Sequence, residues 1–204
     1  MIHDISINIS KDMVVYKNRD KKKPRFTNSA DFKNNGVYET DISMNLHTGT
    51  HIDYPLHTIE NGKTSKNHSL DNLIGSAKVF DLTHLKEKIS KSDIEDFDIK
   101  ADDFVLFKTR NSAEDFFNFD FIYVALDAAI YLKDKAVRGV GIDALGIERN
   151  QEGHPTHDTL LSNDIIILEG INLHHIDPKT YEMWCLPLKI HDVEALPVRA
   201  ILKG

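Results

Sequence analysis

The stretch His47-Thr48-Gly49-Thr50-His51-Ile52-Asp53-Tyr54-Pro55-Leu56-His57 gathers three histidines and an aspartate into eleven residues. Its pattern is that of a strand with one polar face. Side chains of one parity share a strand face, so His47, Gly49, His51 and Asp53 project one way and Leu46, Thr48, Thr50 and Ile52 the other. His51 and Asp53, about 6.5–7 Å apart along such a strand, can converge on one divalent cation at bonding distances of about 2.0–2.2 Å. A straight strand would leave His47 about 13 Å from His51, so shared ligation requires a bend, and Gly49 is the residue that permits one. Pro55 then ends the ladder and swings His57 back toward the same face.

Outward from this stretch, the chain of 204 residues reads as one globular domain over residues 1–204, with 41% hydrophobic and 28% charged residues. Lys and Arg number 25 against 32 Asp and Glu, a net charge of −7, which argues against nucleic-acid or anionic-membrane partners. Eleven His stand against a single Cys. One thiol forms no internal disulfide and no thiolate zinc site, so a cytoplasmic protein is expected, with any metal held by imidazole and carboxylate. The opening Met1-Ile2-His3-Asp4-Ile5 lacks the basic start and apolar run of an export signal. Phe121 to Leu132, the longest apolar stretch, contains Asp127, falls short of the ~20 residues of a membrane span, and reads as core.

Ile5, Ile7 and Ile9 alternate with polar residues, as does Tyr38 to Leu46, so both are expected as half-buried strands. The basic run Lys17 to Arg25 reads as a solvated loop, and Asn28 to Asn35 as a long surface loop. Ser69 to Gly75 has the cap and closing glycine of a short helix, Ala77 to Leu82 and Asp103 to Lys108 read as strands, and Ser92 with Glu95 resembles a capping box. Val124 to Lys135 has helical length, Val137 to Ile142 and Ile165 to Leu168 are β-branched runs suited to buried strands, and Thr156 is the expected cap of a turn reaching Leu161. No glycine-rich phosphate loop accompanies these elements, so a nucleotide-binding α/β fold has no support. His68, His84, His154, His174, His175 and His191 lack a comparable cluster of same-face donors and are expected in structural or surface roles.

The run from His47 to His57 resembles the HxGTHxDxPxH signature of the cyclase family of metal-dependent hydrolases, which includes kynurenine formamidases (arylformamidases) and isatin hydrolases. Further agreement lies in Gly141-Ile142-Asp143, in His157 followed twelve residues later by Glu169, in Leu186-Pro187-Leu188 and in Pro197-Val198-Arg199-Ala200. The resemblance implies an α/β fold, the family's swivelling β/β/α domain with a mixed sheet and flanking helices, and a homodimer. It implies two divalent metals per subunit, Zn²⁺ or alternatively Mn²⁺. His47, His51 and Asp53 would hold one, and Asp53 and Glu169 would bridge to a second that also takes His157. His57 would be the catalytic proton donor and acceptor. Tyr16 stands where kynurenine formamidases carry a substrate-lining aromatic, typically Trp; Lys17-Asn18 replace the Pro-Gly that usually follows.

The chemistry of these residue types agrees with that assignment. A coordinated divalent cation lowers the pKa of water from ~15.7 toward ~7–9, which supplies hydroxide without a nucleophilic side chain. An imidazole can take the proton from that water and return it to a departing nitrogen. The expected function is hydrolysis of a small molecule's amide C–N bond, with N-formylkynurenine the foremost substrate, in tryptophan catabolism. Opening of an isatin-like lactam, an imide or a lactone is the alternative, and a metal-binding protein without turnover a third reading. Cys185, beside Trp184 and Leu186-Pro187 in an expected core segment, is the weaker nucleophile, and no G-x-S-x-G elbow is present.

Overall fold

The computed structural model describes residues 1–67 and 69–204; His68, expected in a structural or surface role, lies outside them. Four consecutive apolar residues, Phe104-Val105-Leu106-Phe107, are all solvent-inaccessible, which is the mark of a parallel strand covered on both faces. They belong to β7 (Phe104–Lys108), which pairs in parallel with β5 (Ile74–Asp81) on one side and β9 (Gly139–Ile142) on the other. β10 (Ile166–Glu169) extends this parallel set alongside β9. β4 (His51–Asp53), β11 (Thr180–Pro187), β12 (Ala195–Lys203) and β1 (Ile2–Asp4) join it antiparallel, in the order β1-β12-β11-β5-β7-β9-β10-β4. β12 pairs with β11 through Val198–Lys203 and with β4 through Ala195–Pro197, so the sheet closes on itself.

The two-residue period of the strands divides the core into two layers. Phe104, Leu106, Ile166 and Leu168 face Ile52, Val79, Met183 and Leu202. Val105, Phe107, Val140, Ile142 and Ile167 face the other way, onto α3 (Leu126–Asp134) and α4 (Pro155–Leu161) through Ala128, Ala129, Leu132, Leu160 and Leu161. Gly139 makes the first layer possible: a Cβ there would lie 2.4 Å from the Phe104 ring. Two smaller pairings complete the chain. β6 (Lys88–Ile89) runs parallel to β8 (Tyr123–Val124), and β2 (Arg25–Ala30) pairs antiparallel with β3 (Glu39–Ser43). Two one-turn helices, α1 (Phe32–Asn35) and α2 (Lys91–Ile94), lie between strands.

Several local expectations are corrected. The alternation at Ile5, Ile7 and Ile9 does not make a strand: β1 ends at Asp4, and only Ser6 bridges, to Ile171. Tyr38 to Leu46 contains β3, yet none of β3 is buried, because its sole partner β2 forms an arm off the main sheet. That arm begins in the basic run and extends into the expected surface loop, which also holds α1. The expected helix at Ser69–Gly75 is a single 3₁₀ turn over Leu70–Leu73, and β5 starts at Ile74. The capping pair is Ser90 and Asp93, two residues before the expected one, with Ser90 N donating to Asp93 Oδ2 at 2.7 Å. Thr156 sits inside α4, and the residue before the helix is His154, in left-handed backbone with φ 50°. Trp184 is only half-buried, because β11 turns Tyr181, Met183 and Cys185 inward instead.

Gly170, immediately after β10, has φ 67°, and a Cβ there would lie 2.4 Å from the carbonyl oxygen of Gly49. Gly170→Ala therefore combines a left-handed strain with a backbone clash and is expected to cost about 2–4 kcal/mol, read as a lowered urea midpoint with an unchanged m-value.

Candidate metal centre

β4 is only three residues long, and its register decides the site. His51 lies opposite Glu169 and Asp53 opposite Ile167 across the antiparallel pair with β10. Ile52, of the other parity, is buried in the core layer, so His51 and Asp53 share the face that Glu169 also presents. The expected bend before them is a turn: His47 lies outside the strand, and Gly49 adopts φ 70°. Thr50 holds the two glycine segments together, donating from Oγ1 to the Gly170 carbonyl at 2.5 Å. Pro55 opens a 3₁₀ turn, Pro55–His57, that carries His57 back over the site.

These elements bring every expected ligand together. His47 Nδ1 lies 3.0 Å from Asp53 Oδ1, and His51 Nε2 lies 3.6 Å from the same oxygen and 3.3 Å from Glu169 Oε2. His157, on α4, directs Nε2 toward Asp53 Oδ2 at 3.7 Å and Glu169 Oε1 at 3.4 Å. Asp53 thus lies between two histidine pairs. The His57 ring centroid is 4.2 Å from that of His47 and 5.4 Å from that of His157, and its side chain is exposed. Tyr16 is half-buried, with its ring edge against Phe117.

The fit to a cation rests on three buried atoms. His51 Nε2 and both oxygens of Asp53 have no hydrogen-bond partner, a costly state that a coordinated cation relieves. The tautomer of His51 agrees: Nδ1 lies 2.9 Å from the Gly49 carbonyl, which can only accept, so Nδ1 carries the hydrogen and Nε2 is free to ligate. His51, Asp53 and Glu169 form one group able to hold a metal ion, and His47, Asp53 and His57 form another.

Three comparisons place the chain among known proteins. The Cyclase family model matches residues 3–149. The chain belongs to this family. It is 31% identical over 203 residues to the kynurenine formamidase of Salinibacter ruber, covering 98% of this chain and 96% of that protein. A solved structure described as a potential metal-dependent hydrolase with cyclase activity is 50% identical, with a TM-score of 0.93 over 99% of this chain and 96% of that one. Isatin hydrolase A from Labrenzia aggregata, bound to benzyl benzoate, shares the fold with a TM-score of 0.85 over 99% and 93% of the two chains, at 21% identity. The family's fold is the mixed α/β sheet expected from sequence, and no helix among the described residues is long and apolar enough to cross a membrane.

Sequence reasoning missed Glu148. It is 4% exposed, and its Oε1 lies 2.9 Å from the Nδ1 atoms of both His157 and His154, so His154 is not without company. Its signal was weak, because Glu148 precedes His157 by nine residues across a loop and shares no periodicity with it. His174 and His175 are exposed, as expected. Cys185 is fully buried and its thiol is pushed up to about 12, which excludes it as a nucleophile.

Burial pushes Asp53 upward, but His157, His47 and His51 outweigh it and hold the carboxyl well below 3.8. Burial and the charge of Asp53 likewise raise Glu169, while His157 and His51 bring it below 4.5. Burial lowers His157, yet Asp53, Glu148 and Glu169 carry it well above 6.5. In the metal-free protein, protonated His157 therefore contributes stability in full below about pH 6.5, and this is lost as pH rises through its raised value. The two carboxylates act in the opposite sense, their contribution fading as pH falls through their lowered values. The melting temperature of chelator-treated protein is expected to fall as pH is raised above 6.5, and that of Zn²⁺-loaded protein to hold steady. Calorimetry of both forms from pH 6 to 9 checks this.

Proposed function

We propose that this chain is a metal-dependent arylformamidase that hydrolyses N-formylkynurenine to kynurenine and formate, a step of tryptophan catabolism, with residues 1–204 acting as one hydrolase domain in the cytoplasm. The observation that carries the proposal is the convergence of unpartnered His51 Nε2 and Asp53 carboxylate oxygens with Glu169 and His157 beneath an exposed imidazole, His57. His47, His51 and Asp53 would hold one cation, and Asp53, Glu169 and His157 a second. Zn²⁺ suits these ligands and Mn²⁺ is the alternative. A cation bound there would supply Lewis acidity and lower the pKa of water from about 15.7 toward about 7.

His57 does the proton work. Partial desolvation, with His47 and His157 nearby, keeps its pKa below 6.5, although Asp53 pulls the other way, so the ring is neutral at pH 7 and ready to accept. It takes a proton from the attacking water and returns it to the departing nitrogen, so that water divides between formate and the free amine. Burial and the charge of Glu169 raise the Tyr16 phenol, keeping it protonated beside the site, where its ring can flank an aryl group and its hydroxyl can donate.

Hydrolysis of a cyclic amide, imide or lactone is the second reading. It gains weight because Tyr16-Lys17-Asn18 stands where the resemblance calls for an aromatic followed by Pro-Gly, a departure that weakens the N-formylkynurenine reading. Turnover of N-formylkynurenine, aryl formamides and isatin by Zn²⁺-loaded and chelated protein decides between them. Activity on isatin alone assigns the second reading.

Loss of His57 is expected to lower kcat about 10²–10⁴-fold in His57→Ala while metal content stays at the wild-type value, whereas Asp53→Ala loses both. Metal analysis beside kinetics checks this, and loss of metal from His57→Ala would make His57 a ligand.

A homodimer completes the proposal. Ile42 of the exposed arm, with Met44, Leu46, Leu186, Leu188 and Ile190, lines an open apolar groove of about 490 Å³, a surface of the kind a subunit covers. Ile42→Asp is expected to shift the protein to monomer in sedimentation velocity runs.

A further inference from the structure

The segment Gly146–Glu148 approaches the centre from outside the ligand motif, and successive residues in it hold Glu169 and His157, the two expected ligands that lie outside the His47–His57 stretch. Ile147 N donates to Glu169 Oε1 at 2.6 Å. Glu148 Oε1 accepts from His157 Nδ1 at 2.9 Å, and Glu148 Oε2 accepts from Thr156 N at 2.8 Å, tying the carboxylate to the helix that bears His157. The segment is itself pinned on two sides. Val124 N donates to the Ile147 carbonyl at 2.8 Å, and Tyr16 packs so closely on Gly146 that a Cβ there would lie 3.2 Å from its ring.

A carboxylate buried to this degree has one strong use for its charge. An ionised carboxylate only accepts, so Nδ1 of His157 carries a hydrogen toward Glu148 and Nε2 is the nitrogen turned toward Asp53 and Glu169, where a cation would replace its proton. Without Glu148 the imidazole could rotate or exchange tautomers, and a ligand that must first be ordered binds more weakly. We propose that Glu148 is the positioning residue of the second cation site, fixing the tautomer and ring orientation of His157, while the Ile147 N–H orients the Glu169 carboxylate. This rests on the reading that Asp53, Glu169 and His157 bind a cation.

Glu148, His154 and His157 also meet the spacing for a cation of their own. Two features favour the positioning role. His157 Nε2 is turned to the other side, toward Asp53 and Glu169, and His154 is a surface side chain, 66% exposed. His154 shares Oε1 from left-handed backbone in a loop where Asn150 and Gly153 also have positive φ, so it follows the loop's course rather than completing a built site.

The test is Zn²⁺ binding alone, measured by competition with a chromophoric chelator, on wild type, Glu148→Ala, Glu148→Gln and His154→Ala, with the fold of each metal-free protein checked by circular dichroism. Glu148→Ala is expected to weaken the second site about 10–100-fold and leave the first within about threefold of wild type. Glu148→Gln, whose amide oxygen can accept from Nδ1 but whose NH2 cannot accept from Thr156 N, is expected to show an intermediate loss at the second site, and wild-type affinity in it overturns the role should the alanine variant not fold. Long-range ¹H–¹⁵N spectra of the loaded protein should show His157 as one Nδ1–H tautomer in wild type and a mixture in Glu148→Ala. Unchanged affinity in Glu148→Ala, or equal weakening of both sites, overturns the role of Glu148. Loss of a cation from His154→Ala overturns it in favour of a separate site. A wild type that takes up no second Zn²⁺ overturns the two-cation reading itself.

Discussion

Two carboxylates, Asp53 and Glu169, are buried side by side, and each raises the cost of charging the other. Removing one ionised carboxylate from water costs several kcal/mol even after relaxation, so the pair persists only where positive charge compensates it. Much of the surrounding structure answers that demand. Four imidazoles reach it from a turn, from β4, from the 3₁₀ turn after Pro55 and from α4. In the metal-free chain the carboxylates raise His51 and His157 above the usual 6.5, which favours protons there; a cation would supply the charge more completely and relieve the unpartnered atoms as well.

Closure of the sheet sets this juxtaposition. β4 is too short to hold its place by its own hydrogen bonds, yet it is stitched to β10 on one edge and β12 on the other. The close passage of Gly49 past Gly170, bridged by Thr50, sets the depth at which the ligand strand lies. Rigidity in the strands and irregularity in the loops divide the work, strands holding His51, Asp53 and Glu169 and loops bringing His47, His57 and Glu148.

The elements legible in the sequence were those whose pattern follows their own burial. Phe104 to Phe107 and Ile166 to Leu168 are apolar because the chain packs on them from both layers, and the helix after Val124 shows an apolar stripe because Ala128, Ala129 and Leu132 face one of those layers. The alternating segments near Ile7 and Tyr38 misled for the opposite reason. Period-2 alternation marks a strand with one face covered, but it does not say which partner covers it, and neither segment lies in the main sheet beyond Asp4. The cap of α4 slipped because a side chain from outside the helix, Glu148, accepts from Thr156 N, while that of α2 is a local pair, Ser90 and Asp93, lying two residues before the expected one.

The sequence by itself determined the donor chemistry of the centre: nitrogen and oxygen donors, a glycine turn and a proline turn packed into eleven residues, with strand parity enough to put His51 and Asp53 on one face. Their convergence is local, so backbone geometry alone carries it. Only the tertiary structure decided that His157 and Glu169 meet Asp53, that Glu148 holds His157, and that Tyr16 lies beside them. Those contacts join elements separated by loops, and the direction of a loop is set by packing and by backbone hydrogen bonds that leave no periodic trace in the residues that make them.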